Sequence, residues 1–282
     1  NAPVAVYFHE SQFSYPLSPL DRPDQTYPMI NWSSAVAADL AIFNSEFHRT
    51  LFLEQVERFL HQFPDRSHGA LVREVKDRSI VLPVGVDLAR IAAAPQRDRD
   101  GAPLILWNQR WEHDKGPDEF VDLVRALIER DLDFNAAVVG ERFVSAPESF
   151  ERLPGLLGDR LIAYDFLSDD QYVGILQRAD VVVSTAHQEF FGIAIVEAMA
   201  AGAFPVLPDR LVYPDRIPMT RHETCLYQDH DGLVEKVQWA IAHREESAEI
   251  ATELASTVQQ YDWSEVAPRY DGVLEDLVRS RK

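Results

Sequence analysis

Two glutamates in the run Glu189-Phe190-Phe191-Gly192-Ile193-Ala194-Ile195-Val196-Glu197 carry the clearest chemistry of this chain. A carboxylate at Glu197, well inside a helix, can accept two hydroxyl hydrogen bonds from a diol such as a ribose. Glu189 ends the preceding loop, where its carboxylate faces a ligand crevice. The helix start between them presents N–H groups and a positive dipole end suited to a phosphate. Gly192 leaves room for close approach. The plainer reading is that acids near a helix start answer the dipole and that Glu197 lies on a wet face; both readings fit these residues. Arg110 and Lys115, five residues apart, are a second pair. An arginine fork and a lysine point charge together can neutralise a diphosphate, or each can be an ordinary surface charge. His9, beside Glu10 at the end of a strand, is either a contact to a ligand or a merely exposed histidine.

The elements that position these residues follow from hydrophobic pattern. Val181 to Val183 reads as a strand buried on both faces, and Ser184 to Gln188 as a loop. A helix is expected to open at Glu189–Gly192 and run through Glu197 to about Ala201, ended by Gly202 in a left-handed conformation. Ala203 to Leu207 is the next strand. In such a βαβ unit ligands sit where the carboxyl ends of parallel strands meet a helix amino terminus. Upstream, strands are expected at Pro3–Phe8, Leu40–Phe43 and Ile80–Leu82, with helices at Met29–Ala38 and Glu46–Phe63. Ala92 to Pro103 has the composition of a linker. Beyond it strands (Leu104–Trp107, Phe134–Val139, Leu161–Tyr164) alternate with helices (Pro117–Arg130, Asp169–Ala179). An edge strand at Thr224–Tyr227 and three helices complete the chain. The alternation predicts an α/β protein. Its expected parts are an amino-terminal Rossmann-like domain and linker over 1–100, a second Rossmann-like domain over 101–265, and a terminal helix over 266–282 that returns to the amino domain.

The chain has 282 residues and a hydrophobic share of 46%, enough for two cored domains. No apolar run is long enough to span a membrane, and no signal peptide pattern opens the chain. The single cysteine, Cys225, excludes an internal disulfide and fits a reducing, cytoplasmic compartment. A net charge of −19 opposes general binding to nucleic acid or anionic membranes, though not a local basic groove. Arg66, Arg73, Lys76 and Arg78 are the candidates for such a groove, or a solvated helix face. Asp98-Arg99-Asp100 has the D-x-D form of metal-dependent transferases but falls in the linker, where a solvated turn is the simpler reading. The histidines show no metal-ligand spacing, and no metal or cofactor is expected.

The E-F-F-G-I-A-I-V-E-A run resembles the E-x7-E signature of family 4 glycosyltransferases, retaining enzymes of the two-domain GT-B fold. The resemblance extends to Tyr7-Phe8-His9-Glu10, Phe43-Asn44-Ser45, Arg110-Trp111-Glu112-His113-Asp114-Lys115 and Leu211-Val212-Tyr213-Pro214, which are similar to the tRNA-queuosine α-mannosyltransferase group. It implies transfer of mannose from GDP-mannose to a hydroxyl of queuosine in tRNA, without metal. By the same resemblance Arg110 and Lys115 grip the donor diphosphate, Glu189 and His9 contact the donor sugar, and Glu197 holds the ribose. Gly192, Phe191, Ile193, Gly140 (with Glu141), Phe166 and Leu167 (with Tyr164 and Asp165) line the donor site. His187 and Gln188 reach the sugar or serve only as loop. Ser45 matches a small polar residue that ends a strand in the family, and Gly85-Val86-Asp87 a turn with a structural role. Relatives carry a further segment ahead of Val4, so the amino-terminal domain is expected to be incomplete. Two alternatives stay open: a family 4 transferase with another donor and a lipid, glycan or metabolite acceptor, and a non-catalytic nucleotide-sugar-binding module. The oligomeric state is left open.

Overall fold

The computed structural model describes residues 2–14, 24–63, 69–94, 101–142 and 148–280. The chain divides into two compact units, Asn1–Gly85 with Trp263–Lys282, and Val86–Asp262.

The amino unit contains β1 (Ala5–Phe8), α1 (Thr26–Ala37), β2 (Leu40–Phe43), α2 (Glu46–Leu60), α3 (Gly69–Asp77) and β3 (Ser79–Val81). Its strands form one parallel sheet in the order β1-β2-β3. Phe8 pairs in register with Phe43, and their rings stack 5.1 Å apart. Phe52, Val56 and Phe59 of α2 close over them with Val72 and Val75 of α3. Helix α2 begins where it does because Ser45 Oγ accepts from the His48 N–H at 3.0 Å, a side-chain cap on the first turn. Helix α3 was not expected; its amphipathic stripe is only nine residues long.

The carboxyl unit contains α4 (Leu88–Ala93), β4 (Leu104–Trp107), α5 (Pro117–Glu129), β5 (Asn135–Val139), α6 (Leu153–Leu157), β6 (Leu161–Asp165), α7 (Asp169–Leu176), β7 (Val181–Val183), α8 (Ile193–Ala200), β8 (Phe204–Pro208), α9 (His222–Cys225), β9 (Leu226–Tyr227), α10 (His230–Ala242) and α11 (Arg244–Thr257). Its six strands are all parallel, in the order β6-β5-β4-β7-β8-β9. The strand order reverses between β4 and β7, from which the chain builds outward in opposite directions. In an open parallel sheet that reversal leaves a crevice at the carboxyl ends of the two strands flanking it. The loops after β4 and β7 are the ones that carry Arg110–Lys115 and His187–Glu189.

Several boundaries differ from expectation for physical reasons. The edge strand expected at Thr224–Tyr227 is only Leu226–Tyr227, because Thr224 and Cys225 close the short helix α9. Helix α8 starts at Ile193, not Glu189, because Gly192 takes a left-handed φ of 83° as its N-cap. The expected linker Ala92–Pro103 begins inside α4, which Asp87 caps by accepting from the Arg90 N–H at 3.1 Å while Leu88 and Ile91 bury. Residues 95–100, and with them Asp98-Arg99-Asp100, lie outside the described residues. The last helix, α12 (Trp263–Arg279), belongs to the amino unit. Its Tyr270 hydroxyl donates to the Pro83 carbonyl at 3.1 Å. Its Trp263 ring lies where a Cβ on Gly85 would stand 2.3 Å away, so only glycine fits there.

Candidate functional site

The loops that leave β4 and β7 are stitched together. Asp114 O accepts from the N–H groups of His187 (2.7 Å) and Gln188 (3.3 Å). In return Lys115 Nζ donates to Gln188 O at 2.7 Å, and Thr185 Oγ1 donates to Lys115 O at 2.8 Å. Gly116 turns between them with φ 62°, and a Cβ there would stand 2.1 Å from Thr185 O. The Trp111 ring is fully buried against Phe150 and Tyr164, and the Trp111 backbone N–H donates to Glu141 O at 2.9 Å, pinning the other end of the first loop.

At the seam lies a buried charge cluster. Lys115 Nζ is 3.1 Å from Asp114 Oδ2 and 3.6 Å from Glu189 Oε2. Glu189 Oε1 accepts from the N–H groups of Phe190 (2.9 Å) and Phe191 (3.1 Å), so the carboxylate is turned back onto its own loop. Lys115 and Asp114 are both buried, and neither carboxylate oxygen of Asp114 has a hydrogen-bond partner among the described residues, Oδ2 meeting Lys115 as an ion pair only. Arg110 sits at the rim, about half exposed, paired with Glu112 at 3.1 Å. A half-exposed cation and a buried one are thus each held by their own acids.

Glu197 occupies a second network. Its Oε1 is 2.6 Å from Arg90 Nη2, and its Oε2 accepts from the Tyr172 hydroxyl at 2.8 Å. Asn108 Nδ2 donates to that hydroxyl and to Ala194 O. Burial, reinforced by the Glu197 charge, holds the Tyr172 phenol far above its ordinary pKa, so it stays a donor. A third network joins Gln109 Nε2, Ser184 Oγ and the buried Tyr213 hydroxyl. The Tyr213 phenol is raised by burial and then by the Glu189 charge.

Residues 1–86 match the amino-terminal family of tRNA-queuosine alpha-mannosyltransferases, and residues 91–255 match the glycosyl transferases group 1 family. The chain belongs to the group 1 glycosyl transferases. It is 34% identical over 240 residues to a Drosophila melanogaster protein named tRNA-queuosine alpha-mannosyltransferase, a match covering 82% of this chain and 63% of that one. The chain therefore spans less than two thirds of the length of that relative. It is 26% identical over 208 residues to GDP-mannose:cellobiosyl-diphosphopolyprenol alpha-mannosyltransferase of Xanthomonas oryzae, covering 72% of this chain and 54% of the relative. Its fold is that of sucrose-phosphate synthase from Thermosynechococcus elongatus (TM-score 0.74, 19% identity, 98% of this chain and 68% of the other). Anabaena HepE in complex with UDP and glucose is similarly alike (TM-score 0.72, 19% identity, 97% and 71%). The fold class is GT-B-like, with two Rossmann-type units.

The expected residues are divided between the two units. Arg110, Lys115, Glu189, Gly192 and Glu197 all stand on the carboxyl side of β4 and β7 in one unit. Phe191 is buried there, its ring 4.3 Å from the Arg216 guanidinium, while Ile193 is exposed. Gly140, with φ 155°, serves the fold itself: a Cβ would lie 2.0 Å from Gln109 O. Phe166 and Leu167 follow β6, and Phe166 is two thirds exposed. His187 turns its ring to Glu119 (3.2 Å), which also pairs with Arg210 (3.4 Å). His9 lies in the amino unit and lines a cavity of about 380 Å³ with Tyr7, Trp263 and Tyr270. Its carbonyl accepts from Asn44 Nδ2, and Asn44 Oδ1 meets His48 Nδ1 at 2.9 Å. Of the basic-groove candidates, Arg78 Nη2 donates to the Ala35 and Val36 carbonyls, and Arg66 is outside the described residues. Among the described residues no group of three or more histidine, cysteine or acidic side chains is placed to hold a metal, and no helix is long and apolar enough to cross a membrane.

Sequence reasoning missed Arg90, Tyr172, Ser184, Tyr213 and Arg216. Arg90 had a local signal, three residues after a capping aspartate, and Tyr213 lies in the Leu211–Pro214 run that carried the resemblance; the others had none.

Proposed function

We propose that this chain is the catalytic portion of a retaining glycosyltransferase that moves mannose from GDP-mannose to a hydroxyl of queuosine in tRNA, in the cytoplasm. The observation that carries this reading is the match of residues 1–86 to the tRNA-queuosine alpha-mannosyltransferase amino-terminal family, joined to the Drosophila relative of the same name. The donor half is supported by the Lys115–Glu189 contact between the loops after β4 and β7, with Arg110 on the first of those loops and Glu197 on the helix that follows the second.

In the proposed reaction the bond from the anomeric carbon to the β-phosphate oxygen of GDP-mannose breaks. A hydroxyl oxygen of queuosine bonds to the same face of that carbon, and its proton passes to the departing phosphate. GDP leaves with the bonding electron pair. Arg110, at the rim, and Lys115, at the seam, meet the negative charge that grows on the leaving phosphate; preorganised cations of this kind are worth most where water is excluded. Glu197 holds the ribose and Glu189 the transferring sugar.

The test is incubation with GDP-mannose and tRNA, with and without queuosine, followed by mass analysis of the released nucleosides. A hexose added to queuosine alone supports the reading. Transfer to neither tRNA, with donor still bound, overturns it. A second reading is favoured by the Xanthomonas relative: mannosyl transfer to a lipid-linked glycan. Salt separates the two, because only a tRNA acceptor predicts binding that weakens steeply as salt rises.

A further inference from the structure

Arg90 belongs to no motif, yet it makes the shortest ion pair in the carboxyl unit's site, 2.6 Å from Glu197 Oε1. It is placed there by a chain of local causes. Asp87 caps α4, accepting from the Arg90 N–H; Leu88 N–H donates to Asp262 Oδ2, and Val86 N–H to Tyr261 O. The turn therefore fixes the helix that aims Arg90. On the other side of the carboxylate, Tyr172 donates to Oε2, and Asn108 holds the Tyr172 hydroxyl. Arg90 is also one wall of a cavity of about 470 Å³, shared with Asp169, Asp170, Val173 and Gly174.

A carboxylate offers two oxygens with about four lone-pair directions. Arg90 takes one direction on Oε1 and Tyr172 one on Oε2. One direction on each oxygen is left, and the plane of the carboxylate is fixed. That is the acceptor geometry a vicinal diol requires, and a freely rotating glutamate lacks it. Without Arg90 the carboxylate loses both its counter-charge and its orientation, so its two hydroxyl bonds no longer form together.

We propose that Arg90 is a positioning residue that presents Glu197 as a two-point acceptor for the ribose diol of a nucleoside diphosphate, with Tyr172 as its counterpart on the other oxygen. The inference rests on the nucleotide-sugar reading above. Its signature is selectivity for hydroxyls on the sugar, which a merely structural role does not alter.

The experiment is calorimetric titration of the chain with GDP and with 2′,3′-dideoxy-GDP, for wild type, Arg90→Gln, Arg90→Lys and Tyr172→Phe, each checked for folding by circular dichroism. Wild type is expected to prefer GDP by at least about 10-fold, two hydrogen bonds to a charged group being involved. Arg90→Gln is expected to bring that preference to within about 3-fold while leaving dideoxy-GDP affinity nearly unchanged; Arg90→Lys recovers part of it. Tyr172→Phe, which keeps the ring, gives the same loss should Arg90→Gln not fold. A full preference for GDP in either folded variant overturns the proposal, as does a wild type that does not distinguish the two nucleotides. A wild type that binds neither overturns the nucleotide-sugar reading itself.

Discussion

Lys115 Nζ lies 3.6 Å from Glu189 Oε2, across loops that leave the neighbouring parallel strands β4 and β7. The contact makes one unit of two motifs separated by more than seventy residues. It also changes what a substitution at Lys115 means, because Asp114 and Glu189 both depend on that cation.

Lys115→Ala is expected to reduce turnover by about 100-fold or more, through lost stabilisation of the leaving phosphate. It is also expected to destabilise the carboxyl unit by roughly 3 kcal/mol, since the buried Asp114 loses its partner. The double variant Asp114→Asn with Lys115→Met separates the effects. Urea unfolding should recover most of the stability, and transfer assays should recover none of the activity. Recovery of activity in that double variant would remove Lys115 from the mechanism.

Gly116→Ala tests the stitch between the loops. The new Cβ would meet Thr185 O at 2.1 Å with the backbone in the left-handed region. The conformation alone costs about 1–2 kcal/mol, and the clash adds to it. A drop of more than about 2 kcal/mol in unfolding free energy is expected. Gly69→Ala, where the added Cβ meets nothing within 4 Å, is the control and should change little.

His48 gives the amino unit a pH dependence. Burial, with a smaller contribution from the charge of His9, lowers its pKa from 6.5 to about 3. The folded state therefore keeps His48 neutral while the unfolded chain takes up a proton below pH 6.5. The stability is present above that pH and is lost as pH falls from 6.5 towards 3, at about 1.4 kcal/mol per pH unit. Between pH 7.5 and 5 the wild type should lose about 2 kcal/mol more than His48→Gln. Parallel thermal melts of the two proteins give the difference directly, and equal losses would contradict it.

Arg216 is a buried cation with no acid against it among the contacts described. Its Nε donates to Phe191 O at 2.9 Å and its Nη1 to the Tyr261 hydroxyl at 2.8 Å. Its guanidinium lies 4.3 Å from the Phe191 ring and 4.9 Å from the Tyr261 ring. A lysine cannot reproduce the planar stack and the two bonds together. Arg216→Lys is expected to cost about 2–3 kcal/mol of stability and to weaken GDP binding, because Phe191 is part of the turn that holds Glu189. Wild-type GDP affinity in a folded Arg216→Lys protein would confine the residue to packing.

The repeating pattern of the chain made the elements readable. Val181–Val183, Leu104–Trp107 and Leu40–Phe43 are continuous apolar runs bounded by polar turns, and they are strands at those positions. The two acids of the Glu189–Glu197 run and the Arg110–Lys115 loop were readable because each is local. The connections between them were not. Arg90 meets Glu197 across 107 residues, and no spacing encodes that contact. The same holds for Asn108 with Tyr172 and for Gln109 with Ser184. The burial of Lys115 was hidden as well, since a lysine in a polar loop reads as exposed until its acid partners are placed. At Ala92 the error was local: proline and charge downstream obscured a helix that its capping aspartate had already signalled.

The helix Trp263–Arg279 completes the unit that the first 85 residues begin. The order of synthesis and the order of folding are therefore different. As the polypeptide leaves the ribosome, residues 86–262 can finish their six-stranded sheet while the earlier three-stranded sheet still lacks Trp263 against Gly85 and Tyr270 against Pro83. Domains folding as units during translation generally mature from the amino end. Here residues 1–85 are made well before the helix that packs with them, and the interval leaves the face of β1 that carries Tyr7 without that helix, open to chaperones or to neighbouring nascent chains.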